Sequence, residues 1–258
     1  MKKLLGLIFC FILINSSVSA KDMRFAQVTD VRYTKANPDA LNKVINEINR
    51  QNDIEFVVFT GDNINHPNTE ELTSFLDEAK KLNCPFYIAI GDKDVNKRKE
   101  LSKKQYAIFV KEHVKKYKYS TPNYLFVRKG LVFIVSDGAK DVIPSTTGYY
   151  RDEVIDWIDA NLDLYKKKKV VILQHFPIVP PSDKETYYTY KSENYLEMLK
   201  NHKNVIAVVA GHFGVNKEEI KDGITHISTA PAPTYRVIDI MNYDTDMPTI
   251  WAQVKIAQ

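Results

Sequence analysis

The chain reads as an α/β protein built from two mixed β-sheets packed face to face and flanked by helices. Two observations predict this. From Phe25 to Ile90 short β-rich runs alternate with amphipathic helical stripes, the pattern of βαβ units. Further on, a hairpin-like pair and three tail runs with no long helix between them call for antiparallel strands as well.

The elements follow in order. Phe25-Ala26-Gln27-Val28 reads as a strand ending at Thr29-Asp30, and residues 38–49 carry a helical stripe of Leu41, Val44, Ile45 and Ile48. Phe56 to Phe59 is a buried strand that stops at Gly61-Asp62. Residues 69–82 form a second helix, with Thr69 as its cap and acidic residues in the first turn. Phe86 to Ile90 is a third strand, stopping at Gly91-Asp92. Residues 97–119 are basic and read as mostly helical. Two strands follow, 124–127 and 131–135, separated by Arg128-Lys129-Gly130. A helix over 151–164, a strand over 170–173, a helix near 193–199 and a strand over 205–209 come next. The tail runs 224–228, 235–240 and 249–256 read as antiparallel strands.

The first twenty residues stand outside this pattern. Lys2 and Lys3 precede an apolar run from Leu4 to Ile14, and Val18-Ser19-Ala20 supplies the small residues of a cleavage site. We therefore expect a signal peptide over 1–20, one domain over 21–258, and a periplasmic or secreted location. An apolar run this short does not make a stable membrane anchor, which needs about 20 residues. Removing Lys2 and Lys3 from the 36 basic residues leaves an excess of two over the 32 acidic ones. That balance indicates no nucleic acid, which calls for a strongly basic stripe. With Cys10 removed, Cys84 has no partner for a disulfide and reads as a small buried hydrophobe. Oligomeric state leaves no mark in the sequence.

In α/β sheets ligands bind beyond the carboxyl ends of strands. The residues there are Asp30, Asp62, Asp92 with Lys93 and Asp94, His175 and His212. A lone Asp after a strand is usually a turn former or cap, and a lone His usually a packing residue. Together, carboxylates and imidazoles are how divalent metals are held.

The stretches Thr29-Asp30-Val31-Arg32, Thr60-Gly61-Asp62-Asn63, Ile90-Gly91-Asp92-Lys93-Asp94, Gln174-His175-Phe176-Pro177 and Ala210-Gly211-His212-Phe213-Gly214 occur in one order along nearly the whole chain. In this they resemble the calcineurin-like metallophosphoesterases. The stretch 148–162, with Trp157, is similar to the helix that precedes the fifth motif strand in many members. The resemblance implies a four-layer αββα sandwich, hydrolysis of phosphate esters, and a phosphorylated small molecule or other phosphate ester as ligand. It also implies two metals. One would be held by Asp30, Asp62 and imidazoles at positions 32 and 214. The other would be held by Asp62, the residue at 92, His175 and His212.

The chain departs from that pattern. Position 32 is Arg and position 214 is Gly, so the first site lacks both imidazoles, and a guanidinium has no lone pair to donate. Asp92 stands where the family has Asn. Lys93 stands where the family's proton-donating His would be, and an ordinary lysine pKa of about 10.4 makes a reluctant acid. Asp94 would pair with Lys93. We therefore expect one divalent metal (Zn, Mn or Fe) on Asp62, Asp92, His175 and His212, with the first site empty. Arg32 and Lys93 would replace the missing ion's charge and grip phosphate oxygens directly. The alternative is a salt bridge from Arg32 to Asp30 or Asp92.

Weaker features have simpler readings. His66 and Asn65 suit a loop, while His113, His202 and His226 suit surface or packing roles. Lys166 to Lys169 reads as a solvated turn. Tyr187, Tyr188 and Tyr190 form either a packed loop or a stacking surface for substrate. Three functional classes follow: a phosphoesterase with a one-metal or impaired site, a non-catalytic binder of phosphorylated or anionic ligands, and a structural interaction protein.

Overall fold

The computed structural model describes residues 22–115 and 117–258. The expected signal peptide lies outside the described residues. The elements are β1 (Met23–Val28), α1 (Asp39–Asn49), β2 (Val57–Thr60), α2 (Thr69–Ala79), β3 (Phe86–Ala89), α3 (Lys103–His113), β4 (Tyr124–Arg128), β5 (Leu131–Ser136), α4 (Asp152–Leu164), β6 (Val170–Gln174), α5 (Ser192–Lys200), β7 (Val205–Ala210), β8 (Lys217–Lys221), β9 (Ile224–Ser228), β10 (Thr234–Met241) and β11 (Thr249–Ile256). No helix among the described residues is long and apolar enough to cross a membrane.

Two mixed sheets result, as expected. One has the order β11-β10-β1-β2-β3 and the other β4-β5-β6-β7-β9-β8. Strands β1, β2 and β3 are parallel, as are β5, β6, β7 and β9, while β4, β8, β10 and β11 pair antiparallel. Parallel strands are covered on both faces, which is why they read as continuous apolar runs. Successive side chains alternate between faces. On β1, Met23 and Phe25 enter the core between the sheets, while Ala26 and Val28 join the core under the helices. Phe25 and Phe56 meet Phe133 of the opposite sheet edge-on, with ring centroids 5.6 and 5.0 Å apart. Such pairs add roughly 0.5–1.5 kcal/mol beyond their buried area.

Three local expectations are corrected, and one strand had not been expected. The cap of α2 is Asn68, whose side chain accepts from the Glu71 N–H, because Asn68 is the last extended residue and Thr69 is already helical. Among the described residues of 97–119, only Lys103–His113 are helical. The Ser102–Gln105 capping box starts that helix, and Val114 returns to extended backbone. Residues 224–228 run parallel to β7, because the chain first crosses over through β8. That strand, Lys-Glu-Glu-Ile-Lys, escapes a reading based on apolar runs because it is an exposed edge.

Candidate metal and phosphate site

The parallel strands of both sheets deliver their carboxyl ends to one place, and sharp turns aim the residues that follow. Asp30, Arg32, Asp62 and His212 all adopt left-handed backbone, with φ of 50°, 46°, 50° and 73°. For residues other than glycine this costs on the order of 1 kcal/mol each, and such strain gathers at functional sites. Two glycines allow the layers to close. A Cβ on Gly61 would lie 2.5 Å from His175 Nδ1, and one on Gly91 would collide with the Asp62 backbone. Beneath the site Gln27 bridges the sheets. Its Nε2 donates to Thr60 Oγ1 at 2.9 Å and to the Ala210 carbonyl at 2.8 Å, and its Oε1 accepts from Thr229 at 2.6 Å. Sequence reasoning passed over Gln27; the available signal was a lone polar residue inside an apolar strand.

The structure brings Asp92, His175 and His212 together, all buried. His175 Nδ1 donates to the Thr60 carbonyl at 2.8 Å, which leaves Nε2 with its lone pair facing inward. That Nε2 lies 3.1 Å from His212 Nδ1 and 3.4 Å from Asp92 Oδ1, and His212 Nδ1 is also 3.4 Å from Asp92 Oδ1. Asp92 Oδ1 has no hydrogen-bond partner despite its burial. An orphaned carboxylate oxygen facing two imidazole nitrogens is costly unless a cation satisfies all three. Four donors about 2.1 Å from a common centre stand about 3.4 Å apart in a tetrahedron, so the spacing suits a zinc-like ion. The residues fit a divalent cation.

The expected quartet is not one cluster. Asp62 groups with Asp30 and His175 instead, its Oδ1 3.5 Å from His175 Nε2. Its oxygens are already engaged. Oδ1 accepts the Lys93 backbone N–H at 2.9 Å, and Oδ2 receives Arg32 Nε and Nη2, both at 3.3 Å. Arg32 Nη2 also lies 3.2 Å from Asp30 Oδ1. The guanidinium thus sits on the two carboxylates assigned to the first metal, as a salt bridge to Asp30 and Asp62 rather than to Asp92. Asp30 Oδ2 accepts from Thr29 and from the His212 N–H, both at 2.9 Å.

Asp94 does not pair with Lys93. It is wholly buried and receives the N–H groups of Asn63, Ile64 and Gly91 at 2.8, 3.1 and 2.8 Å, plus the Asn63 amide at 3.0 Å. The turn after β3 needs those donors satisfied, so Asp94 acts as a clamp between two loops. Lys93 instead places Nζ 3.3 Å from Asp92 Oδ2. Both cations remain reachable, with side chains 42% exposed for Arg32 and 39% for Lys93.

Burial works against charge throughout the cluster. It pushes Asp62 up, with Asp30, Asp92 and Asp94 adding to the effect and His175 opposing it. Burial also opposes a charged Asp92, yet His175 and His212 together hold that carboxyl far below the usual range. His175 is likewise buried, but Asp62, Asp92 and Asp30 overcome this and raise its pKa. His212 is pushed down by burial, which outweighs the opposing hydrogen bond with Asp92, and the neighbouring His175 adds to the shift.

Tyr187 lies on a short 3₁₀ turn, Glu185–Tyr187, with its ring centroid 4.9 Å from that of His212. Tyr188 reaches Phe213 at 6.2 Å, and Tyr190 packs on Tyr149 at 5.6 Å. Only Tyr187 borders the cluster. His66 pairs with Glu71 and His202 with Asp159, His113 stacks on Phe109, and His226 is buried on β9.

Residues 23–216 match the family model described as calcineurin-like phosphoesterase. Among curated proteins, a probable cyclic nucleotide phosphodiesterase of Coxiella burnetii is 27% identical over 228 residues, covering 83% of this chain and 85% of its own length. Among solved structures, a dimetal phosphatase from Danio rerio aligns with a TM-score of 0.66 at 14% identity, covering 92% of this chain and 99% of that one. GAP50, described as the anchor in the inner membrane complex of Plasmodium, aligns with a TM-score of 0.59 at 13% identity, over 92% and 89% of the two chains. At such identities the structural likeness shows the fold alone.

Proposed function

This chain belongs to the calcineurin-like phosphoesterase family, and from that premise we propose that it is an exported phosphoesterase with one divalent cation and low or specialised turnover. The observation that carries this reading is the contrast between the two halves of the site. In one half Arg32 occupies the carboxylates of Asp30 and Asp62. In the other, Asp92 Oδ1, His175 Nε2 and His212 Nδ1 face each other around an orphaned oxygen.

Asp92, His175 and His212 would hold the cation, with Asp62 beside them. A cation there would polarise a phosphoryl oxygen and acidify a water molecule. The protein's own groups do the rest. Arg32 presents the edge of its guanidinium not taken by Asp30 and Asp62, and orients a second phosphoryl oxygen. Lys93, steered by Asp92, donates a hydrogen bond to the leaving oxygen but is a poor substitute for an imidazole as proton donor. Turnover is slow for that reason. On the likeness to the Coxiella burnetii relative, and because Tyr187 offers a ring beside His212, nucleotide phosphodiesters are the first substrates to test.

A second reading is a phosphate binder without turnover. The Lys93–Asp92 ion pair favours it, since it ties the replacement residue to a cation ligand. Metal content by mass spectrometry, then phosphate titration and diester turnover, separates the two. We expect about one equivalent of divalent metal and turnover that disappears in His175→Ala. Metal without turnover, with phosphate affinity lost in Arg32→Ala, selects the binder. Absence of metal uptake overturns both. Export is tested by the mass of protein recovered from the periplasm or medium, which should begin at Lys21.

A further inference from the structure

At the opposite end of β3 from the cluster, a cavity of about 840 Å³ opens between the edges of the two sheets. Strand β3 is the last strand of one sheet and β4 the last of the other. The gap is spanned by a side chain: Tyr124 Oη accepts from the Ile88 N–H and donates to its carbonyl, both at 2.9 Å. An edge backbone satisfied in this way cannot accept another strand at that point, and beside it the cavity stays open. Its volume lies within the range typical of small-molecule sites, roughly 300–1,000 Å³.

The lining has a distinct chemistry. Phe126 and Tyr87 stack with centroids 3.5 Å apart, and Tyr119 stands 6.2 Å from Tyr87, so aromatic surface forms the floor. Lys80, Lys115, Lys118 and Arg128 line the cavity, and no carboxylate does. Of these, Lys80 is already paired with Asp77, at 2.7 Å. Among the described residues, none of the other three, Lys115, Lys118 and Arg128, has a carboxylate within ion-pair distance. Arg128 donates Nε to Tyr87 Oη at 3.4 Å, which turns its side chain along the aromatic floor. Three unpaired cations lining one cavity that no carboxylate enters favour an anion there, and a planar group gains by stacking on the tyrosines.

From these features we infer that the cavity is a second ligand site, separate from the metal cluster, for a planar aromatic anion of nucleoside monophosphate size. The ring stacks on Tyr87 and Tyr119, and the phosphate meets Lys115, Lys118 and Arg128. The inference does not rest on the phosphoesterase reading.

Cys84 lines the same cavity and serves as a local reporter. Burial pushes its thiol up to about 11, so alkylation by a maleimide at pH 8.5 is slow enough to follow by mass spectrometry. The full chain carrying Cys10→Ser is alkylated with and without AMP, in EDTA to prevent turnover. We expect saturable protection of Cys84 of at least fivefold by AMP, with much weaker protection by adenosine or by inorganic phosphate alone. Protection should fall at least tenfold in affinity in Lys118→Gln/Arg128→Gln, whose fold is checked by thermal melting, and persist in His175→Ala. Absence of protection, equal protection by adenosine, retention in the double variant, or loss in His175→Ala would each overturn the proposal.

Discussion

Replacing Arg32 by alanine removes the one Arg or Lys side chain among the described residues that touches both Asp30 and Asp62, and the consequence can be worked from the geometry. The guanidinium makes contacts of 3.2 and 3.3 Å with carboxylates whose side chains are wholly buried. At an effective dielectric near 20 each contact is worth roughly 5 kcal/mol before desolvation is counted. Arg32 is 42% exposed, so solvent screens much of this. Removing one partner of a buried pair costs about 3–5 kcal/mol, and the exposure brings our expectation down to about 2 kcal/mol. For a domain of this size that is about 4–8 °C in Tm. The backbone contribution cancels, because φ at Arg32 is 46° and alanine dislikes left-handed backbone as arginine does. The assay is thermal or urea unfolding of Arg32→Ala and the parent, in EDTA and in millimolar Mn. The loss should be full in EDTA and largely recovered in Mn, because a divalent cation can take the vacated charge. Equal stability of the two proteins in EDTA, or a loss unchanged by Mn, refutes the view that Arg32 stands in for an ion.

Three further outcomes are expected. Lys93→His restores a proton donor beside Asp92 and should raise diester turnover by at least tenfold, since positioned acid–base catalysis contributes about 10²–10⁴; steady-state kinetics reads this directly. Gly91→Ala drives a methyl into the Asp62 backbone and should destabilise the protein by several kcal/mol or abolish metal uptake, measured by urea unfolding and metal content. His226 is held down to about 4 by burial. Its folded pKa lies below the unfolded value of about 6.5, so its contribution is intact above pH 6.5 and is lost as pH falls through 4. About 2–3 kcal/mol of stability should disappear over that window by linkage. His226→Leu should flatten the pH dependence of the urea midpoint between pH 7 and 4.

How much of this molecule was legible in advance follows from where its information is local. Strands buried on both faces, such as Val57–Thr60 and Val205–Ala210, announce themselves as apolar runs. The residues after them stand at the site because strand direction alone puts them there. The exposed edge strand Lys217–Lys221 has no such signature, and the partner of β9 depends on a crossover that no local pattern encodes.

The sequence by itself determined the two-sheet class, the family, and the set of side chains at the carboxyl ends, because patterning and strand polarity are properties of a linear order. Only the tertiary structure decided who touches whom. It gave Arg32 to Asp30 and Asp62, Lys93 to Asp92, and Asp94 to the backbone of two loops. It also opened the basic, aromatic cavity between two sheet edges. Those pairings are set by competition among charges and donors a few ångströms apart in space, and residues contributed by different strands share no neighbourhood along the chain.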